Sequence, residues 1–188
     1  MAPPIFWQRF MVELSGLRII NTRPLRRAQA LTTALQQAGA VVDDLPLLET
    51  LPLPLTPEQQ QWLRALDHYR WVFVVSPTAA ELGLKYLADY WPQWPQTVHW
   101  LAVGDSTAQV LRTARLQPLV PVDENSEALL QLDVLTAVQP GDRMLVLRGD
   151  GGRNLVRDSL QTQGVRVDYL NLYHRRMPQT AVDQWRQL

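Results

Sequence analysis

Hydroxyl, amide and guanidinium groups recur in five loops, each of which follows a predicted strand. Parallel strands present their carboxyl ends at one edge of a sheet, where ligands bind near the N-termini of helices. Free backbone N–H groups, hydroxyls and arginine side chains suit an anion at such an edge. The loops span residues 22–24, 76–78, 104–107, 125–127 and 148–153. The candidate anion-binding residues are Thr22, Arg23, Ser76, Thr78, Thr107, Ser126, Arg148, Gly149 and Arg153.

A structural role competes with ligand binding at each of these positions. Ser and Thr are ordinary N-caps of helices, so a single hydroxyl is more typical of capping than of binding. Arg23 and Arg148 stand at equivalent strand ends, where a ligand contact and a bond to a backbone carbonyl are equally open. Tyr173 ends another predicted strand and is either a linker residue or a functional one.

The residues that several other kinds of functional site require are absent from the sequence. Segment 148–153 is glycine-rich but does not read Gly-x-Gly-x-x-Gly, and no Gly-Lys-Ser/Thr follows a strand, which disfavours a dinucleotide or P-loop site. The strand at 71–75 ends in Ser76 rather than Asp, which disfavours a phosphoacceptor receiver domain, and there is no Gly-x-Ser-x-Gly elbow. The chain has no Cys, so disulfides, thiolate zinc sites and a thiol nucleophile are excluded. Its three His residues have no metal-ligand partner three or four residues away, and we expect no metal site.

Composition narrows the class of partner. The net charge is zero, so no global field attracts nucleic acid or a membrane surface. The longest apolar run, 71–75, is far too short to cross a bilayer. All basic residues are Arg except Lys85. Arg suits bidentate binding of carboxylates, although an Arg-rich genome explains the bias equally well. Residues 1–15 form an N-terminal extension, read either as a short amphipathic tail or as a segment preceding a true start at Met11.

Residues 16–48 repeat at 141–173 without a gap, at a constant offset of 125. Ten pairs are identical, including Gly16/Gly141, Gly39/Gly164 and Asp43/Asp168. Each copy reads as a strand, a helix with apolar residues at helical spacing, a glycine C-cap and a second strand. Such a unit predicts a crossover and parallel pairing.

Strands and helices continue to alternate between the two copies. Thr56, Pro57 and Gln59 have the types expected at the N-cap, N1 and N3 positions of a helix. We predict helices at 56–67, 78–89, 106–114 and 126–138, and strands at 71–75, 98–103 and 118–122. The pattern indicates α/β layers around a parallel sheet.

An ordered set of motifs resembles the uroporphyrinogen-III synthase family. The motifs are Asn21-Thr22-Arg23-Pro24, Val74-Val75-Ser76-Pro77-Thr78-Ala79-Ala80, Ala102-Val103-Gly104-Asp105-Ser106-Thr107-Ala108, Ser126-Glu127-Ala128-Leu129-Leu130, Leu147-Arg148-Gly149-Asp150-Gly151-Gly152-Arg153 and Leu172-Tyr173-His174-Arg175-Arg176. The resemblance implies two similar parallel-sheet α/β domains joined by a two-stranded antiparallel linker near 41–49 and 166–174. One domain would comprise 44–168. The other would comprise 16–43 with 169–188 and would be incomplete, because the second Ser-Pro and Gly-x-x-Thr-Ala loops are missing.

The resemblance also implies a function. It predicts a cofactor-free lyase that closes hydroxymethylbilane, a linear tetrapyrrole with eight carboxylates, while inverting the last pyrrole and losing water. Tyr173 would assist departure of the hydroxyl, and Ser76 and Thr107 would hold carboxylates. The full-length protein would be a cytoplasmic monomer without nucleic-acid or membrane partners, and we expect little or no activity from the 188-residue chain alone. The rival interpretations are a non-catalytic module that binds a small anion and an inactive relative.

Overall fold

The computed structural model describes residues 13–188, so the predictions for the first twelve residues fall outside it. In chain order, the elements are β1 (Arg18–Asn21), α1 (Leu25–Gln37), β2 (Val41–Asp44), β3 (Glu49–Pro52), α2 (Pro57–Arg64), β4 (Trp71–Val74), α3 (Pro77–Ala88), β5 (His99–Ala102), α4 (Asp105–Thr113), α5 (Ser126–Leu129), α6 (Asp133–Thr136), β6 (Arg143–Gly149), α7 (Leu155–Gln161), β7 (Arg166–Arg176) and α8 (Ala181–Arg186). The predicted alternation of helices and mainly parallel strands is confirmed.

Internal contacts divide the described chain into two compact units. The first comprises the residues up to Leu51 together with Arg175–Leu188, and the second comprises Pro52–His174. In the first unit, β1 and β2 form a parallel pair. The other sheet has the strand order β3-β7-β6-β4-β5. The borders of this division, at 51/52 and 174/175, fall within β3 and β7. The two domains expected from the sequence, 44–168 and 16–43 with 169–188, stay a prediction.

The core of the second unit lies on both faces of its sheet. Neighbouring residues of β4 and β6 point to opposite faces, because side chains alternate along a strand. Val72, Val74, Leu145 and Leu147 pack in one cluster with residues of α2, α3 and α4. Trp71, Phe73, Met144 and Val146 pack in the other with residues of α5 and α7. A parallel strand covered on both faces needs such a continuous apolar run.

The repeat has the same register in both copies. Arg18 pairs with Val41 in the first copy and Arg143 with Arg166 in the second, which preserves the offset of 125. Gly39 and Gly164 both have positive φ, of 96° and 79°, and each N–H donates to the carbonyl three residues earlier. Each copy is therefore the predicted strand–helix–strand unit. The strand ends differ, because β6 has neighbours on both sides and extends to Gly149, whereas β1 pairs with β2 and ends at Asn21.

Two predictions between the copies were wrong. The predicted helix at 126–138 is broken into α5 and α6, because Leu132 between them has an extended backbone, with ψ of 135°. Leu129 and Leu135 are buried in the same cluster. In one continuous helix, residues six apart lie about 240° around the axis, so the break lets both face the core. The predicted strand at 118–122 is reduced to a single bridge between Leu101 and Leu119.

The predicted start of α2 is confirmed. The Thr56 hydroxyl accepts from the Gln59 N–H at 3.2 Å, and the Gln59 side chain accepts from the Thr56 N–H at 3.0 Å. This reciprocal capping satisfies two N–H groups that the first turn leaves unpaired.

A polar cluster surrounds the buried carboxylate of Asp168. Asp168 accepts from the Tyr69 hydroxyl at 2.8 Å, from Arg143 at 3.3 Å and from Arg166 at 3.1 Å. The Arg143 guanidinium also stacks on the Tyr69 ring, 4.4 Å from its centroid. Burial, reinforced by the bond to Asp168, raises the pKa of Tyr69 well above its ordinary value of about 10.

This shift predicts a loss of stability at high pH. Because the pKa of Tyr69 is higher in the folded chain than in the unfolded chain, its stabilising contribution is complete below pH of about 10 and is lost as the pH rises through and above that value. We expect the free energy of unfolding, measured in urea between about pH 8 and 11, to fall less steeply in Tyr69→Phe than in the wild type. Equal slopes for the two proteins would contradict the assignment.

Candidate functional site

Strand β7 and helix α3 bring Tyr173 and Ser76 together. The Tyr173 hydroxyl and the Ser76 Oγ are 2.8 Å apart and share a hydrogen bond. Ser76 is the N-cap of α3 and also accepts from the Ala79 N–H at 3.1 Å. Since helix N-termini carry a partial positive charge, this hydroxyl pair lies where a negative group is stabilised. Tyr173 is only 1% exposed, whereas Ser76 and Thr78 are half-buried.

Gly149 fits closely against the Tyr173 ring. A register shift in the pairing of β6 with β7 places Gly149 opposite Tyr173. A Cβ atom on Gly149 would lie 2.5 Å from Cε2 and 2.6 Å from Cζ of the ring, so any side chain there would force the ring or the strand to move. The following Asp150 N–H donates to the Tyr173 carbonyl at 2.6 Å. Gly149 therefore serves to seat Tyr173, and its lack of a side chain is required.

Arg148 holds the loop that follows β6. Its side chain is nearly buried, and its Nε and Nη1 donate to the carbonyls of Gly149 and Arg153 at 3.1 and 3.2 Å. Of the two roles left open by the sequence, the carbonyl bond is the one observed. The Arg153 guanidinium binds Glu127 through both of its terminal nitrogens. That contact holds the pKa of Glu127 below its usual value.

A carboxylate of this chain occupies the N-terminus of α4. Glu124 accepts from the Asp105 N–H at 2.6 Å and packs against Gly104, where a Cβ atom would lie 2.5 Å from its carboxyl carbon. Thr107, in the first turn of the same helix, is fully buried. Its hydroxyl has no hydrogen-bond partner within the part of the chain that the structure describes. Glu124 thus holds the helix end at which a ligand anion was predicted.

The remaining predicted residues do not join the hydroxyl pair: Ser126 belongs to a short helix, and Thr22 and Arg23 belong to the first unit. Asn125 caps α5, its side chain accepting from the Ala128 N–H at 2.7 Å, and Ser126 is the first residue of that helix. Thr22 and Arg23 belong to the first unit, where both are exposed. Thr22 lines an apolar groove of about 440 Å³ together with residues such as Leu45 and Trp185.

Three residues around the candidate site residues were not predicted from the sequence: Glu124 in a loop, Arg157 in α7 and Tyr169 in β7. Tyr169 contacts the guanidiniums of both Arg148 and Arg157, with Cζ atoms 4.6 and 3.8 Å from its ring centroid. Positions 157 and 169 correspond to Thr32 and Asp44 of the first copy, which also contact each other in the structure. The sequence itself offered no signal for any of the three residues.

No group of three or more His, Cys, Asp or Glu side chains within residues 13–188 is arranged to hold a metal ion. Among the helices of the same residues, none combines the length and apolar character needed to cross a membrane.

The fold and these loops define an α/β protein with hydroxyls and arginines gathered at the carboxyl ends of its strands. Residues 29–188 match the family model described as uroporphyrinogen-III synthase HemD. The chain belongs to this family.

Relatives and solved structures agree with the match. The chain is 34% identical to uroporphyrinogen-III synthase of Escherichia coli K12 over 161 residues, covering 85% of this chain and 65% of the relative. It is 30% identical to the synthase of Synechococcus elongatus, covering 90% of this chain and 65% of the relative. A mutant uroporphyrinogen III synthase from the extremely thermophilic bacterium Thermus thermophilus shares the fold with a TM-score of 0.67 at 21% identity, over 89% of this chain and 66% of that one. The chain thus spans about two thirds of the length of these relatives.

Proposed function

We propose that this chain carries the leaving-group side of a uroporphyrinogen-III synthase, which closes hydroxymethylbilane with inversion of the last pyrrole ring and loss of water. Membership of the family supports the reaction. The hydrogen-bonded pair of Tyr173 and Ser76 at the N-terminus of α3 is the observation that carries the assignment of residues. The reaction would need no cofactor, and its substrate would be a small polyanion.

The chemical demand is a proton for a departing hydroxyl. Breaking the C–O bond of the terminal hydroxymethyl group releases water only if the oxygen receives a proton, and the pyrrole left behind takes the positive charge. Tyr173 is buried and Ser76 is half-buried, so the pair would reach the substrate through the Ser76 Oγ. Ser76 would donate to the leaving oxygen while Tyr173 donates to Ser76, and the tyrosine regains a proton when the closing ring loses one.

Positioning would be the second task. The substrate closes spontaneously without inversion, so the enzyme must hold both ends of the linear tetrapyrrole in one arrangement. Exposed or half-buried groups of the second unit that could contact its carboxylates are Ser76, Thr78, Ser126 and Arg153. Arg153 would have to exchange its bond to Glu127 for one to the substrate.

Because we expect little activity from residues 1–188 alone, the test is the isomer that a protein of the relatives' full length, containing this chain, forms from hydroxymethylbilane. Type III product above the spontaneous type I background, resolved by chromatography, supports the synthase. The burial of Tyr173 favours a second candidate, a module that binds a tetrapyrrole without converting it. Saturable binding of uroporphyrin III accompanied by type I product alone would favour that module, and neither binding nor type III product would contradict both candidates.

In a protein of the relatives' full length that contains this chain, removing the Tyr173 hydroxyl is expected to slow the reaction. Tyr173→Phe keeps the ring that packs on Gly149 and deletes the proton donor, so we expect the rate to fall about 100-fold, in the usual range for loss of a general acid. Ser76→Ala should have a comparable effect on the rate. Circular dichroism should show both variants folded, and an unchanged rate in Tyr173→Phe would remove the tyrosine from the mechanism.

A further inference from the structure

Two guanidinium groups contact one aromatic ring at the carboxyl end of the second repeat. The Cζ atoms of Arg148 and Arg157 lie 4.6 and 3.8 Å from the centroid of the Tyr169 ring. The two Cζ atoms are therefore at most 8.4 Å apart, the sum of these distances. Arg148 is 7% exposed and Arg157 is half-buried. Two like charges are thus held near each other in a partly desolvated place, where Coulomb repulsion is stronger than in water.

No carboxylate of the described residues neutralises this pair. Arg148 donates only to backbone carbonyls, and the buried Nε of Arg157 has no hydrogen-bond partner within residues 13–188. Two acidic residues of the adjoining loops are engaged elsewhere: Glu127 is bound by Arg153, and Asp150 caps the Gly151 N–H. Buried charges are ordinarily paired, so two unneutralised guanidiniums indicate a place for an external anion.

The first copy of the repeat shows that the fold does not require these charges. Positions 32 and 44 correspond to 157 and 169 and also contact each other. There the Thr32 hydroxyl donates to Asp44 at 2.6 Å and accepts from Asn21 at 2.8 Å. In the first copy, a neutral hydroxyl and a carboxylate therefore make the contact between helix and strand that Arg157 and Tyr169 make in the second copy. Arginine and tyrosine at this contact are a property of the second copy alone.

We propose that Arg148, Arg157 and the face of Tyr169 form a carboxylate-binding subsite. The planar guanidinium of Arg157, fixed on the ring, can present two parallel N–H groups to one carboxylate. Arg148 adds a second positive charge while it holds the loop at 149–153. The identification of the carboxylate as an acetate or propionate group of a tetrapyrrole rests on the proposed function, whereas the subsite itself does not.

The test compares Arg157→Gln with Arg64→Gln. Arg64 also stacks on a single tyrosine, 5.1 Å from the Tyr90 centroid, but without a second guanidinium, so its variant controls for loss of charge and of stacking. Binding of uroporphyrin III is followed by its fluorescence, and binding of citrate by the rise in melting temperature at constant ionic strength. We expect Arg157→Gln to bind uroporphyrin III about tenfold more weakly or worse, as one charge-assisted contact is lost, and to show a smaller citrate shift. Arg64→Gln should match the wild type in both.

The outcomes separate the subsite from the proposed reaction. An unchanged affinity and citrate shift in Arg157→Gln, or equal losses in both variants, would overturn the subsite, as would a wild type that binds neither probe. A wild-type protein of the relatives' full length that binds citrate through Arg157 but forms no type III isomer would leave the subsite standing and contradict the proposed synthase reaction. Arg157→Lys should recover only part of the binding, because lysine restores the charge without the planar fork.

Discussion

Asp168→Ala is expected to lower the free energy of unfolding by about 3–5 kcal/mol, the usual cost of removing one partner of a buried ionic cluster. The Asp168 carboxylate is 8% exposed and accepts from Tyr69, Arg143 and Arg166. Its loss leaves the buried Tyr69 hydroxyl without its acceptor and the Arg143 guanidinium without its counter-charge. Urea unfolding near neutral pH measures the difference.

The repeat supplies a matched control for this substitution. Asp43 and Arg18 correspond to Asp168 and Arg143 and form the same ion pair at 2.6 Å. In that pair the Arg18 side chain is 59% exposed, and exposed pairs contribute about 0–1 kcal/mol. Asp43→Ala should therefore have a small effect. Equal losses in the two variants would show that burial does not decide the contribution of this pair.

Gly149→Ala is expected to destabilise the second unit and to disturb the candidate site. The new Cβ would lie 2.5 and 2.6 Å from two carbons of the Tyr173 ring, and the ring has little room to move because Tyr173 is buried. Overpacking of this kind costs about 1–3 kcal/mol. The substitution should also separate the Tyr173 hydroxyl from Ser76. Any type III activity should therefore fall by more than the loss of folded protein alone would explain.

A double substitution tests the cause. Tyr173→Leu removes the ring carbons that the new methyl group would strike, so Gly149→Ala should cost much less in that background. The coupling energy comes from urea unfolding of the four proteins. Additive effects would mean that the methyl group is tolerated against the ring and that Gly149 is not required to seat Tyr173.

The sequence predicted the elements whose signals are local. The glycine C-caps, the capping residues of α2 and the offset of 125 gave the repeated unit and its register, because apolar spacing and turn residues act over a few positions. The break at Leu132 was missed because the core decides it: helical spacing continues through that residue, while burial of both Leu129 and Leu135 requires an extended link.

The sequence allowed the residue types of the candidate site to be predicted, but not most of the contacts that these residues make. Ser76 and Tyr173 were both named, yet they meet through the packing of elements that lie 97 residues apart. Arg148 turns inward to backbone carbonyls, which leave no trace in a sequence. Glu124 reaches the N-terminus of α4 from 19 residues beyond Asp105, after α4 itself and a loop with no motif.

Lys85 is the one lysine of the 188-residue chain, so a single side chain carries a primary amine. Lys85 is exposed on α3, nine residues after Ser76, or about 13 Å along the helix axis. On this 188-residue chain, an amine-reactive dye attached at high pH will therefore mark only Lys85 of α3 and the α-amino group. Because the same helix begins at the hydroxyl pair, a fluorophore on Lys85 would report ligand arrival at Ser76 without a cysteine having to be introduced.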